Sequence, residues 1–212
     1  MIRSNFREWN LDRIELTFGL RQVRELPVLE DLLAFSYSFS AFEQQYLSNL
    51  QAVYQLGGDD WNEVELENKA ISPLFVFAQI DNERFAYFLE RELSAVLGDY
   101  ELSGRVDGMI ATGFRSPRKP YFCMNEYKRA TDPNGDPRGQ VLIAMMAAQI
   151  LNDEEKPIIG CYIIGKAWSF VALIGTEYAL SKTYTFDSEG IFDIYRVVKA
   201  IQNYINQLLD KS

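Results

Sequence analysis

Residues 102–113, LSGRVDGMIATG, and residues 119–149, KPYFCMNEYKRATDPNGDPRGQVLIAMMAAQ, decide how this chain reads. Leu102–Thr112 and Pro120–Glu126 have the apolar content and spacing of strands. Gly113–Lys119 between them is a loop rich in Gly, Pro, Ser and Arg. Asp107 ends one apolar run and Glu126-Tyr127-Lys128 ends the next. Side chains two apart on a strand share a face, so Glu126 and Lys128 project together and Tyr127 turns into the core. An acid followed by Glu-x-Lys on neighbouring strands is a minimal kit for holding a divalent cation over a phosphodiester. The same residues also suit a plain structure, with Glu126 and Lys128 as an exposed ion pair and Asp107 capping a turn before Gly108.

Other chemistries are sparse. The chain of 212 residues contains no histidine, which removes Ser-His-Asp and Cys-His catalysis and histidine-rich zinc sites. Two unclustered cysteines, Cys123 and Cys161, cannot build a four-cysteine metal site, and in apolar strands they read as buried thiols. Carboxylate, lysine and tyrosine chemistry remains, and carboxylates favour hard cations such as Mg²⁺ or Mn²⁺. A net charge of −9 argues against nonspecific coating of nucleic acid. The segment from Arg105 to Gln140 nevertheless carries seven bases against four acids. Arg115, Arg118, Lys119, Arg129 and Arg138 could form a basic lip for phosphate, or simply a solvated hairpin in an acidic protein.

Outward from this stretch, residues 1–58 read as a helical extension and residues 59–212 as the main domain. Leu26, Leu29, Leu33 and Tyr37 have helical spacing, as do Phe42, Tyr46, Leu50 and Val53 behind a Ser40 N-cap. Asp60 with Glu63 fits a capping box, and Pro73 should kink the helix that follows. Phe85–Leu89 and Leu93–Leu97 read as two short strands. Asp132–Pro137 is the strongest turn signal, ahead of a buried helix over Gln140–Leu151. Strands over Ile158–Ile164, Trp168–Leu173 and Tyr178–Phe186 follow, then an amphipathic helix from Gly190 to Leu209. The order implies an α/β or α+β domain. No apolar run approaches the ~18–20 residues of a membrane span, and the start lacks a signal-peptide core, so the expected location is cytoplasmic.

The two quoted segments resemble the core of the PD-(D/E)XK nuclease-like superfamily. Asp107 stands at its strand aspartate, in a Val-Asp-Gly version without proline, and Glu126 and Lys128 match the (D/E)XK element. Gln140 matches a glutamine common on the next helix, although Ala144 departs from the tyrosine of the RecB-type branch. Upstream, Asn62–Glu67 leading into Ile71-Ser72-Pro73-Leu74 resembles the glutamate-bearing helix of many members, with Glu63 the best match and Glu67 its rival. The resemblance spans about Glu63 to Leu173. It implies a three-layer restriction-endonuclease-like α/β fold with a mixed central sheet. It further implies a Mg²⁺- or Mn²⁺-dependent nuclease acting on DNA, with Asp107, Glu126 and Glu63 as metal ligands and Lys128 and Gln140 completing the site. Some branches keep the scaffold without catalysis, so a silent scaffold, or a subunit binding protein or nucleic acid, stands as the alternative. A homodimer or a partner subunit is compatible with either.

Overall fold

The computed structural model describes residues 1–131, 135–152 and 156–211. Among them the strands are β1 (Ile2–Asn5), β2 (Arg21–Gln22), β3 (Ala86–Leu97), β4 (Tyr100–Thr112), β5 (Arg118–Lys128), β6 (Ile158–Ile164), β7 (Ala167–Ile174), β8 (Glu177–Leu180) and β9 (Tyr184–Thr185). The helices are α1 (Leu11–Phe18), α2 (Pro27–Leu33), α3 (Ala41–Gln55), α4 (Glu63–Leu66), α5 (Ser72–Phe77), α6 (Pro137–Asn152) and α7 (Gly190–Asp210). The nine strands form one mixed sheet whose main path runs β1-β4-β5-β6-β7-β8-β2. β3 pairs along β4, and β9 pairs with β7.

Side-chain alternation gives this sheet two cores. Ile159, Cys161 and Ile163 of β6 and Trp168, Phe170 and Ala172 of β7 face the core under α2, α3, α5 and α7. Ile158, Val171 and Leu173 face the other core, under α1 and α6. The chain is therefore an α/β protein with helices on both faces of a mixed sheet. α7 shows why burial dominates here: Ile191, Ile194, Val197, Val198, Ile201 and Ile205 all lie inside, each contributing about 1.5–3 kcal/mol. No helix among the described residues is long and apolar enough to cross a membrane.

Several expectations need correction. Residues 1–58 are not wholly helical: β1 adds parallel to β4 and β2 adds parallel to β8, at opposite ends of the sheet. Their sequences, IRSN and RQ, lack an apolar alternation, so pairing with the sheet imposes the extended form. The capping box before α4 is Asn62 with Glu65, not Asp60 with Glu63, because Gly58–Asp60 is taken up by a short 3-10 turn. A π-helical turn over Glu67–Ile71 joins α4 to α5, with Pro73 at the start of α5. Phe85–Leu89 and Leu93–Leu97 merge into the single strand β3, and Tyr178–Phe186 divides into β8 and β9. Ser40 caps α3 as expected, in a full capping box with Glu43. Part of the Asp132–Pro137 turn lies outside the described residues.

One irregularity of the sheet matters most. β1 pairs with β4 only from Tyr100 to Ser103, and β5 pairs with it only from Gly108 to Thr112. Since β3 covers the other edge along its length, β1 and β5 share one edge of β4 and leave residues 104–107 unpaired there. The C-terminal ends of β1 and β5 thus part at a fork, and Asp107 lies in it.

Candidate functional site

Asp107 reaches the fork because β4 changes face there. Leu102 and Val106 enter the same core as Met109 and Ala111, so alternation reverses between 106 and 109. β3 reverses at the matching place, with Phe88, Leu93 and Ala95 in that core. Glu90, opposite Asp107 in register, adopts a positive φ of 53°, a conformation uncommon for a residue other than glycine. The ladder between β4 and β5 ends at Gly108 and Asn125, one residue before Asp107 meets Glu126. Oδ2 of Asp107 then accepts from the Tyr127 amide at 2.8 Å, satisfying a donor that a continued ladder would have bonded to β4.

Glu126 and Lys128 project together from the end of β5, as their spacing predicts. The Lys128 ammonium donates to Oε1 of Glu126 at 2.6 Å and to the Tyr127 carbonyl at 3.3 Å, and lies 4.0 Å from Oδ2 of Asp107. All three charged side chains are largely buried, between 8% and 16% exposed. They are therefore not the exposed surface pair that the sequence also allowed.

Two carboxylates share one lysine, and their acidities reflect it. Burial pushes the Asp107 carboxyl up to about 6, against the Tyr127 hydrogen bond and the Lys128 charge, while Glu90 and Glu63 add to the push. Burial and the charge of Asp107 raise Glu126 to about 7, despite its contact with Lys128. Burial alone would depress Lys128, but the charge and hydrogen bond of Glu126 outweigh it, so the ammonium is raised. The cluster holds an excess of buried negative charge.

The remaining sequence candidates divide. Glu63, at the start of α4, is exposed, and it acts on Asp107 and Lys128 through its charge rather than a hydrogen bond. Glu67, its rival, accepts from the Tyr127 hydroxyl at 2.9 Å. The same hydroxyl donates to the Asp107 carbonyl at 3.2 Å, so Tyr127 is a core residue that also braces the site. Gln140 is buried in the first turn of α6, with its amide against Gly135. No hydrogen bond among the described residues joins it to Asp107, Glu126 or Lys128. No group of three or more acidic, cysteine or histidine side chains is gathered closely enough among the described residues to enclose a metal ion.

The expected basic lip is scattered. Arg118 and Lys128 stand at opposite ends of β5, roughly 30 Å apart at about 3.3 Å per residue, so Arg115, Arg118 and Lys119 do not border the fork. Arg129 does, lining an open recess with Asn62, Glu63, Val64 and Glu65. Arg138 lies over the Tyr162 ring, 5.5 Å from its centroid. A base that no motif marked takes part instead: the charge of Arg7, in the turn after β1, is felt at Glu126. Only the distant pairing of β1 with β4 brings it there, and local sequence carries no sign of that pairing.

Fold and site together define an α/β protein with a mixed sheet whose fork holds an Asp-Glu-Lys cluster. Compared with known protein families and with curated proteins, the chain matches none.

Proposed function

We propose that this chain is a PD-(D/E)XK-type nuclease with a restriction-endonuclease-like fold, hydrolysing phosphodiester bonds of DNA with Mg²⁺ or Mn²⁺. The observation that carries this reading is the convergence of Asp107, Glu126 and Lys128 in the fork, with ammonium-to-oxygen distances of 2.6 and 4.0 Å. The donor set suits a hard cation that takes few protein ligands and keeps several waters. Asp107 and Glu126 would hold it, with the Tyr127 carbonyl close by as a further oxygen. Once bound, such an ion supplies the positive charge that a pentavalent phosphate needs and makes water easier to ionise.

The chain's own groups do the rest. The Lys128 ammonium has three donors, and Glu126 and the Tyr127 carbonyl take two, leaving one for a water or a phosphate oxygen. The Tyr127 amide donates to the Asp107 carboxylate and fixes its direction, while the Tyr127 hydroxyl holds the Asp107 main-chain carbonyl. Glu63 adds negative charge at the mouth of the site and Glu67 holds Tyr127.

The distance of Arg115, Arg118 and Lys119 from the fork favours, as a second reading, a scaffold that has lost catalysis. Incubation with duplex, single-stranded and branched DNA in Mg²⁺ or Mn²⁺ separates the two. Cleavage abolished by a chelator supports the nuclease, and intact DNA on every substrate leaves the scaffold.

A further inference from the structure

We propose that Arg7 is a substrate-binding residue, holding a backbone phosphate of the DNA strand that enters the fork. This inference rests on the nuclease reading of the same site and extends it to a residue outside the superfamily resemblance.

A cleft of about 740 Å³ opens beside the fork, lined by Asn5, Arg7 and Glu8 on one wall and by β3 and β4 on the other. Its β4 lining includes Arg105, two residues before Asp107, and its β3 lining includes Glu90, opposite Asp107. The cleft therefore leads towards the proposed reaction centre.

Among its cations, Arg7 alone is uncommitted in the described residues. Arg105 is engaged by Glu90 at 3.4 Å and by Glu92 at 4.0 Å. Glu8, next to Arg7 in sequence, accepts from the Ser4 hydroxyl at 2.6 Å. Arg7 is exposed and forms no ion pair within 4.0 Å among the described residues. Lys128 has one donor left beyond Glu126 and the Tyr127 carbonyl, so a further phosphate along the strand calls for a second cation.

The backbone that carries Arg7 is anchored. The Asn5 side chain accepts from the Arg7 amide at 3.1 Å. Phe6 is buried against Gly104, where a Cβ would lie 2.5 Å from the ring, and Trp9 is buried two residues beyond Arg7. A guanidinium on such an anchored turn suits planar recognition of a phosphate better than an ammonium would.

The test is fluorescence anisotropy of a labelled mixed-sequence DNA duplex, with Ca²⁺ replacing Mg²⁺ so that binding is read before turnover. Wild type, Arg7→Gln and Arg7→Lys are compared between about 50 and 200 mM salt. Arg7→Gln is expected to weaken binding about tenfold and to flatten the salt slope by about one. Arg7→Lys should restore the slope and part of the affinity. Circular dichroism that matches wild type excludes a folding defect. If wild type binds and Arg7→Gln matches it in affinity and slope, the assignment is overturned while the nuclease reading stands. If wild type binds with the Arg7 effect but never cuts in Mg²⁺ or Mn²⁺, the nuclease reading fails and Arg7 remains a DNA ligand. Wild type that binds no DNA overturns the Arg7 assignment outright.

Discussion

The Lys128 ammonium lies 2.6 Å from Oε1 of Glu126 but 4.0 Å from Oδ2 of Asp107, so it neutralises one carboxylate closely and the other at a distance. Asp107 is held instead by the Tyr127 amide. This asymmetry leaves a buried acid to be balanced by protons at low pH, or by a bound cation.

Stability of the cation-free protein should therefore fall as pH rises from about 5 to 8. Native Asp107 and Glu126 keep their protons to about 6 and about 7, whereas the unfolded chain releases them near ordinary carboxylate values. The native state thus binds more protons in this window, and stability declines as pH rises through it. Glu43 does not confuse the measurement: burial opposes its ionisation, but hydrogen bonds from Tyr37, Ser40 and Tyr195 prevail and lower it to about 2. Lys128 is raised and titrates above the window. Urea midpoints in a chelator should be lower at pH 8 than at pH 6, Mg²⁺ should recover the difference, and Asp107→Asn should flatten the profile. A flat wild-type profile would contradict the charge balance described.

Replacing Lys128 by alanine strips Glu126 of its cation. Breaking a buried pair on one side typically costs about 3–5 kcal/mol, and protonation of Glu126 relieves part of that at low pH. Urea unfolding should thus show a larger loss at pH 8 than at pH 6. An equal loss at both would mean that Glu126 does not titrate in this range.

Neutralising Arg115, Arg118 and Lys119 together should leave DNA affinity and its salt slope unchanged, since they sit at the far end of β5. A slope reduced by about three would show instead that DNA runs along the hairpin.

Gly104→Val should act at a distance on the fork. The added Cβ would meet the Phe6 ring at 2.5 Å, and such overpacking costs about 1–3 kcal/mol. The expected fall in Tm is about 2–4 °C per kcal/mol, together with the loss of DNA affinity expected of Arg7→Gln. Lowered Tm with unchanged affinity would separate the anchoring of this turn from substrate binding.

Much of the sheet was legible because its strands are long and apolar. β6 has the expected limits, and β4, β5, β7, α6 and α7 differ by a few residues at their ends. The edge strands β1 and β2 were not, since segments of four and two residues, with Ile2 their one apolar side chain, carry no pattern of their own. Within the site, the side-by-side projection of Glu126 and Lys128 followed from strand period alone. The fork did not, because it depends on where two different partners of β4 stop pairing. The bracing role of Tyr127 was hidden for a related reason: alternation assigns its ring to the core, and only the tertiary position of Glu67 gives its hydroxyl a task.

The most direct test of the central claim is the rate of DNA cleavage in Mg²⁺ or Mn²⁺ by wild type, Asp107→Asn, Glu126→Gln and Lys128→Ala. The account predicts cleavage by wild type and a fall of at least about 100-fold in each variant, with circular dichroism showing that each is folded. Cleavage that survives Lys128→Ala at the wild-type rate would contradict it, and would place the activity outside the fork.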